Sequence, residues 1–132
     1  MHTPATTTEK LVVFVVDDDP AVRSSLKFAL ELEGYIVRVF ADAAQLLGRG
    51  DDEAPGCLII DYALPGLNGL ELLRTLRQRN IAAPAILITS HPKRPLRELA
   101  ARAGVQIVEK PLLTDALTDE IRGLCTARPA SP

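Results

Sequence analysis

Five residues of the sequence have the types and placement needed to work together on a phosphate group: Asp17, Asp18, Asp61, Thr89 and Lys110. Each closes or follows an apolar run of strand length, so all five gather along one edge of any sheet those runs form. Several carboxylates packed together repel one another unless a cation offsets them, and a hard, oxygen-seeking divalent ion suits such a cluster. Magnesium fits best and manganese is an acceptable substitute. It takes one or two carboxylates plus waters and phosphate oxygens. Asp17 or Asp18 with Asp61 supplies the acids, and the Ala63 carbonyl is the candidate third protein ligand. A carboxylate beside such an ion can attack phosphorus, which makes Asp61 the candidate nucleophile. Lys110 is then a compact cation for one phosphoryl oxygen, and the Thr89 hydroxyl is a donor for another. A charge of roughly −1.5 to −2 added at Asp61 would draw Thr89 and Lys110 toward it and bias a two-state surface.

Each residue also has a plainer role. Asp17 and Asp18 can be a polar strand end, and Asp19 is best read as a helix cap. A lone acid at position 61, or a lone lysine before Pro111, is commonly structural or solvated, and Thr89 alone says almost nothing. Four separate strand ends nevertheless each carry a group that the chemistry requires.

The elements that must hold these groups follow from the hydrophobic pattern. Leu11 to Val16 is a continuous β-branched and aromatic run, which suits a strand buried on both faces. Asp19 offers an N-cap and Pro20 suits the first helical position, with Val22, Leu26, Ala29 and Leu30 at helical spacing until Gly34. A second strand covers Tyr35 to Phe40, and Asp42 caps a short helix through Leu47. Gly48 to Gly56 reads as an acidic, flexible loop. The third strand, Cys57 to Ile60, ends on Asp61. The Pro65-Gly66 turn leads to a helix capped by Asn68 and continued by Leu70, Leu73, Leu76 and Arg77. Ala85 to Thr89 is the fourth strand, followed by a helix from about Pro95 to Arg102 closed by Gly104. Val105 to Glu109 is the fifth. Thr114 caps a last helix with Leu113, Leu117, Ile121 and Leu124 as its apolar stripe. Five short strands alternating with five helices predict an open, mostly parallel α/β sheet covered on both faces, with ligands beyond the carboxyl ends of the strands.

Composition sets the outer bounds. The 132 residues are 47% hydrophobic, enough for one domain with its own core. Residues 1–10 and 126–132 are expected to be disordered flanks around a domain at 11–125. With 15 Lys+Arg against 17 Asp+Glu, no overall field draws the chain to nucleic acid or to an anionic membrane. No apolar run reaches the roughly 20 residues that a membrane span needs. Met1 to Lys10 lacks the features of a signal peptide. Cys57 and Cys125 read as reduced thiols, which favours the cytoplasm.

Together Val-Val-Asp-Asp-Asp-Pro at residues 15–20, Asp61 followed by Leu64-Pro65-Gly66-Leu67-Asn68-Gly69, Thr89-Ser90-His91 and Glu109-Lys110-Pro111 resemble the receiver domains of response regulators. The match runs over roughly Leu11 to Leu124 and is most similar to receivers that precede a LuxR-type helix-turn-helix. The resemblance implies a flavodoxin-like three-layer (βα)5 fold, with a parallel five-stranded sheet in the order 2-1-3-4-5. It implies phosphorylation of Asp61 by a sensor histidine kinase, a phosphotransfer protein or a small phosphodonor, with magnesium. It further implies a regulatory phosphoacceptor rather than an enzyme, with at most self-phosphorylation and slow self-dephosphorylation. A cis Lys110-Pro111 bond and a homodimer through helix 4, strand 5 and helix 5 also belong to that expectation. Transcriptional control would then run through an output domain or a partner, without direct contact of this domain with nucleic acid.

Two departures bear on the read-out. The family places Tyr or Phe three residues before the lysine, where it turns inward as the threonine moves. Here that switch position is Ile107, with one residue fewer between Gly104 and Lys110, so aromatic rotamer switching cannot occur. Pro92 and Pro95 flank Lys93-Arg94 in a stiff, basic version of a segment that usually rearranges. Two rivals compete with the phosphoacceptor assignment. A hydrolase of the haloacid dehalogenase class would make Asp17 the nucleophile, but it leaves Asp61 unexplained and lacks its late acidic pair. A degenerate receiver acting only as an interaction module is opposed by the intact acids and lysine. No Gly-rich loop supports dinucleotide binding.

Overall fold

In the computed structural model, residues 11–50, 53–110 and 114–126 are described. They form β1 (Val12–Val16), α1 (Pro20–Leu32), β2 (Ile36–Phe40), α2 (Ala43–Leu47), β3 (Cys57–Asp61), α3 (Gly69–Gln78), β4 (Ala85–Thr89), α4 (Arg94–Ala103), β5 (Gln106–Glu109) and α5 (Thr114–Thr126). The five strands make one sheet in the order β2-β1-β3-β4-β5, and every pairing is parallel. This is the expected α/β, flavodoxin-like arrangement.

Alternation along the strands divides the core between two faces. Phe14, Val16, Leu58, Ile60, Ala85 and Leu87 pack on one side with Leu46, Leu72, Leu73, Leu76, Leu96 and Ala100, beneath α2, α3 and α4. Val13, Val15, Cys57, Ile59, Ile86 and Ile88 pack on the other with Leu26, Leu30, Leu117 and Ile121, beneath α1 and α5. Each fully buried Leu or Ile contributes roughly 1.5–3 kcal/mol. The unbroken apolar runs of β1, β3 and β4 are therefore what a doubly covered sheet requires.

The helix ends form as the residue types dictate. Asp19 accepts the N–H of Ala21 and Asp42 accepts that of Gln45. Asn68 and Glu71 form a reciprocal capping box, a feature the sequence reading assigned only to Asn68. Gly104 closes α4 at φ 72°, in the left-handed region where a glycine is cheapest. Helix α4 begins at Arg94, one residue before the predicted start. Helix α5 runs through Thr126, which the sequence reading gave to the tail. Within the stretch 48–56, expected to be a flexible loop, the described Glu53 is held by two arginines. Its carboxylate takes Arg38 at 2.7 and 3.0 Å and its carbonyl takes Arg49 at 2.7 Å. The predicted tail at 1–10, residues 127–132 of the tail predicted at 126–132, the Lys110-Pro111 bond, Leu113 and the side chains of Thr114 and Cys125 lie outside the described residues.

Candidate functional site

The alternation that sorts the core also aims the polar strand ends. Asp17 continues the Val13, Val15 series, Asp61 continues Cys57, Ile59, and Lys110 continues Val108, all on the side facing α1 and α5. Their side chains meet. Lys110 Nζ lies 3.4 Å from Asp61 Oδ2 and 3.4 Å from Asp17 Oδ2. Both carboxylates are buried, and Asp17 is 0% exposed. Asp18, exposed at the rim, brings a third carboxylate, and one oxygen from each acid falls within 4.8 Å of the others.

Backbone groups fix the two buried acids. Asp17 Oδ1 accepts the N–H of Asp19 at 2.9 Å, and Asp61 Oδ1 accepts that of Ala63 at 3.1 Å. The second oxygen of Asp17 is buried without a hydrogen-bond partner, so its tie to Lys110 is an ion pair only. Burial pushes the Asp17 carboxyl above the usual carboxylate range. The Asp61 charge adds to that shift, while the Asp19 N–H and Lys110 oppose it. Burial also pulls the Lys110 ammonium down, but the two carboxylates outweigh it and leave its pKa raised.

An anionic pocket with one fixed cation and one unsatisfied carboxylate oxygen is chemically incomplete. It suits a hard divalent ion and a phosphoryl group. Residues 13–122 match the profile of the response regulator receiver domain. The chain belongs to that family. It is 40% identical over 111 residues to the C4-dicarboxylate transport transcriptional regulatory protein DctD of Pseudomonas aeruginosa, covering 83% of this chain and 24% of that protein. It is 36% identical over 126 residues to the transcriptional regulatory protein FixJ of Bradyrhizobium diazoefficiens, covering 94% of this chain and 62% of FixJ. The chain thus spans less than two thirds of the length of these relatives. The crystal structure of FixJ-N superposes with a TM-score of 0.80 at 32% identity, covering 93% of this chain and 99% of that one.

Within this receiver, the loop after Asp61 is held by unusually close packing. Tyr62 donates to the Ile88 carbonyl at 2.9 Å, and its own carbonyl accepts from Leu64 at 3.0 Å and Gly69 at 2.8 Å. A Cβ on Gly69 would sit 2.7 Å from the Asp61 carbonyl oxygen, 2.7 Å from Leu87 Cδ1 and 2.9 Å from Tyr62 Cα. Only a glycine lets α3 approach the end of β3 so closely. Gly66, at φ 79°, makes the turn between them.

Two of the predicted groups sit apart from the acid cluster. Thr89 follows the Ala85, Leu87 series, whose side chains pack toward α2 to α4, and its buried hydroxyl donates to the Ser90 carbonyl at 3.3 Å. It is linked to the cluster through the backbone, since Lys110 N–H donates to the Thr89 carbonyl at 2.8 Å. Ile107 is half-buried beside Leu87 in register and packs onto the same core. Among the described residues, sequence reasoning missed Arg23. From the second turn of α1 it donates to the Asp17 carbonyl at 2.7 Å, pinning the backbone that carries the buried acid. Nothing in the local pattern singles out an arginine seven residues past a strand end. The contact exists only because α1 folds back along β1.

Proposed function

We propose that Asp61 is the phosphoacceptor of this receiver, taking a phosphoryl group from a sensor histidine kinase, a phosphotransfer protein or a small donor. The observation that carries this reading is Lys110 Nζ, placed 3.4 Å from each of two buried carboxylates, one of which has an oxygen without any hydrogen-bond partner. A carboxylate oxygen of Asp61 forms the new O–P bond as the donor's P–N or P–O bond breaks, and the donor leaves with that electron pair. Lys110 offsets the charge arriving at Asp61, and the Thr89 hydroxyl would have to leave its bond to the Ser90 carbonyl and turn toward Asp61 to take part. Asp17, Asp18, Asp61 and the Ala63 carbonyl would hold magnesium or manganese, and the orphaned oxygen of Asp17 fits such an ion. When bound, the ion supplies neutralisation of the phosphate oxygens. The return reaction is slow hydrolysis of the aspartyl phosphate by water, so the protein acts as a regulator rather than as an enzyme in its own right.

The receiver unit spans residues 11–125 in this reading, with the flanks as linkers. Among the described residues no helix is long and apolar enough to cross a membrane. The balanced charge and reduced thiols suit the cytoplasm. The named relatives are transcriptional regulators, so phosphorylation here would act on transcription through an output domain or partner, with a homodimer through α4, β5 and α5 as one route. The test is incubation with acetyl phosphate and magnesium. Asp61→Asn is expected to abolish acid-labile phosphate incorporation, while Asp17→Asn mainly weakens metal binding. Incorporation that survives in Asp61→Asn would sink the assignment, and loss in Asp17→Asn that excess magnesium cannot restore would shift the nucleophile to Asp17.

A further inference from the structure

Among the described residues three large apolar side chains stand exposed: Phe28 at 68% and Leu32 at 72% on α1, and Leu99 at 47% on α4. They fall on opposite faces of the sheet, because α1 packs against one core cluster and α4 against the other. Helical spacing puts Phe28 and Leu32 in line with Ala21, Ser24 and Ser25, all exposed, on the side away from buried Leu26 and Leu30. Glu31 is the acid bordering this stripe, and among the described residues its partner is Lys27 on the same helix, an exposed pair that exchanges readily.

Leu99 belongs to a groove of about 420 Å³ between α3 and α4, floored by Leu70, Leu73 and Ala103. Its charged groups are unequal. Glu71 is tied to the Asn68 N–H at 2.8 Å, and Arg77 to the carbonyls of Ile81 and Ala83 at 2.9 and 2.7 Å. Arg74 on the same wall is exposed and makes no hydrogen bond or ion pair among the described residues. The groove thus offers apolar surface and a cation that no described residue pairs. The stripe on α1 offers apolar surface and an acid whose partner is easily exchanged. Lengths agree as well, since residues 21–32 rise about 16 Å and each ten-residue groove helix about 15 Å.

We propose that the α1 stripe of one copy docks in the α3–α4 groove of a second copy, with Phe28 and Leu32 against Leu70 and Leu99 and with Glu31 paired to Arg74. The two surfaces are different and lie on opposite faces, so the contact is heterologous and leaves a free stripe and a free groove at either end of every pair. Assembly is therefore open-ended. One helix in one groove buries less than a standard stable interface, so association is weak and follows concentration. It requires neither phosphate nor magnesium.

The test is analytical ultracentrifugation of the full 132-residue chain, unphosphorylated and without metal, across a concentration series. Wild type is expected to gain mass continuously past the dimer. A stripe variant, Phe28→Ser with Leu32→Ser, and a groove variant, Arg74→Glu with Leu99→Ser, should each stay monomeric. All four side chains are exposed, and circular dichroism melts check that both variants remain folded. Mixed together, the two variants should form a dimer that grows no further, because one keeps only its groove and the other only its stripe. Three results would overturn the proposal: a wild type that stays monomeric, which would leave both surfaces to other partners; a wild type that stops at a dimer; or a mixture that fails to pair.

Discussion

Strand β3 buries all five of its residues and ends on Asp61, whereas β5 buries none of its four completely and is followed by Lys110. The two halves of the site therefore rest on unlike supports. On the β1–β3 side, the acids are held by the sheet centre, by the N–H groups of Asp19 and Ala63, by Arg23 and by the tight approach of Gly69. On the β4–β5 side, the lysine hangs from an edge strand through one backbone bond to Thr89, whose side chain is occupied elsewhere. For the proposed phosphoacceptor role of Asp61, a rigid acceptor beside a looser responder is what a switch needs. The atom that gains charge must not move, and the groups that answer it must.

A rigid half that tolerated crowding would contradict this division. Gly69→Val places side-chain atoms against the Asp61 carbonyl and Tyr62 Cα, both backbone, so relaxation requires α3 to shift. The expected loss is about 3 kcal/mol of stability by denaturant melting. A loss below about 1 kcal/mol would mean that α3 is not pinned to the end of β3.

Lys110→Met tests the only cation that touches both acids among the described residues. It leaves Asp17 and Asp61 facing each other without their shared partner. Stopped-time phosphate incorporation should slow by roughly 100-fold, the scale seen when one fixed donor to developing charge is removed. Folding should survive, because the edge strand contributes little burial.

Asp17→Asn is expected to act in the opposite direction on stability. Because burial raises the Asp17 pKa, the folded state holds its proton more tightly than the unfolded chain does. Wild-type stability therefore falls as pH climbs above the ordinary 3.8. Without metal, the asparagine variant should be more stable near neutrality by about 1 kcal/mol, and that part of the pH slope should vanish. Magnesium should narrow the gap, since it stabilises the ionised form in wild type. Thermal melts from pH 4 to 8 with and without magnesium check this, and a less stable metal-free variant would contradict the burial argument.

How much of this was legible follows the same division. Strands β1, β3 and β4 are near-continuous apolar runs, so their positions and the acids at their ends could be read directly. Ala85 to Thr89 matches residue for residue. The caps at Asp19, Asp42 and Asn68 were legible because their oxygens satisfy local N–H groups within two or three residues. Contacts between elements were not. Arg23 reaching the Asp17 carbonyl, and Gly69 under the carbonyl of Asp61, depend on how helices settle against the sheet, and no local periodicity encodes that. Thr89 does end β4, but parity along β4 turns its side chain to the face away from the acids.

The smallest expected effect sharpens the loose half. Ile107 is half-buried against the core, level with Leu87, at the position where the receiver resemblance implies a turning aromatic. Ile107→Tyr enlarges a side chain on an edge strand whose outer side meets solvent, so the ring has room to swing out and the phenol can stay wet. Stability should change by less than about 1 kcal/mol, and phosphate incorporation should match wild type, because nothing in the acid cluster is touched. What should change is the response. Tyrosine fluorescence and amide exchange along β5 and α4 should differ between phosphorylated and unphosphorylated variant, with a smaller exchange difference in wild type, where an isoleucine has no second resting place. Equal exchange differences in the two proteins would place the read-out away from β5 altogether, and the rigid and loose halves would then have to be redrawn around α4.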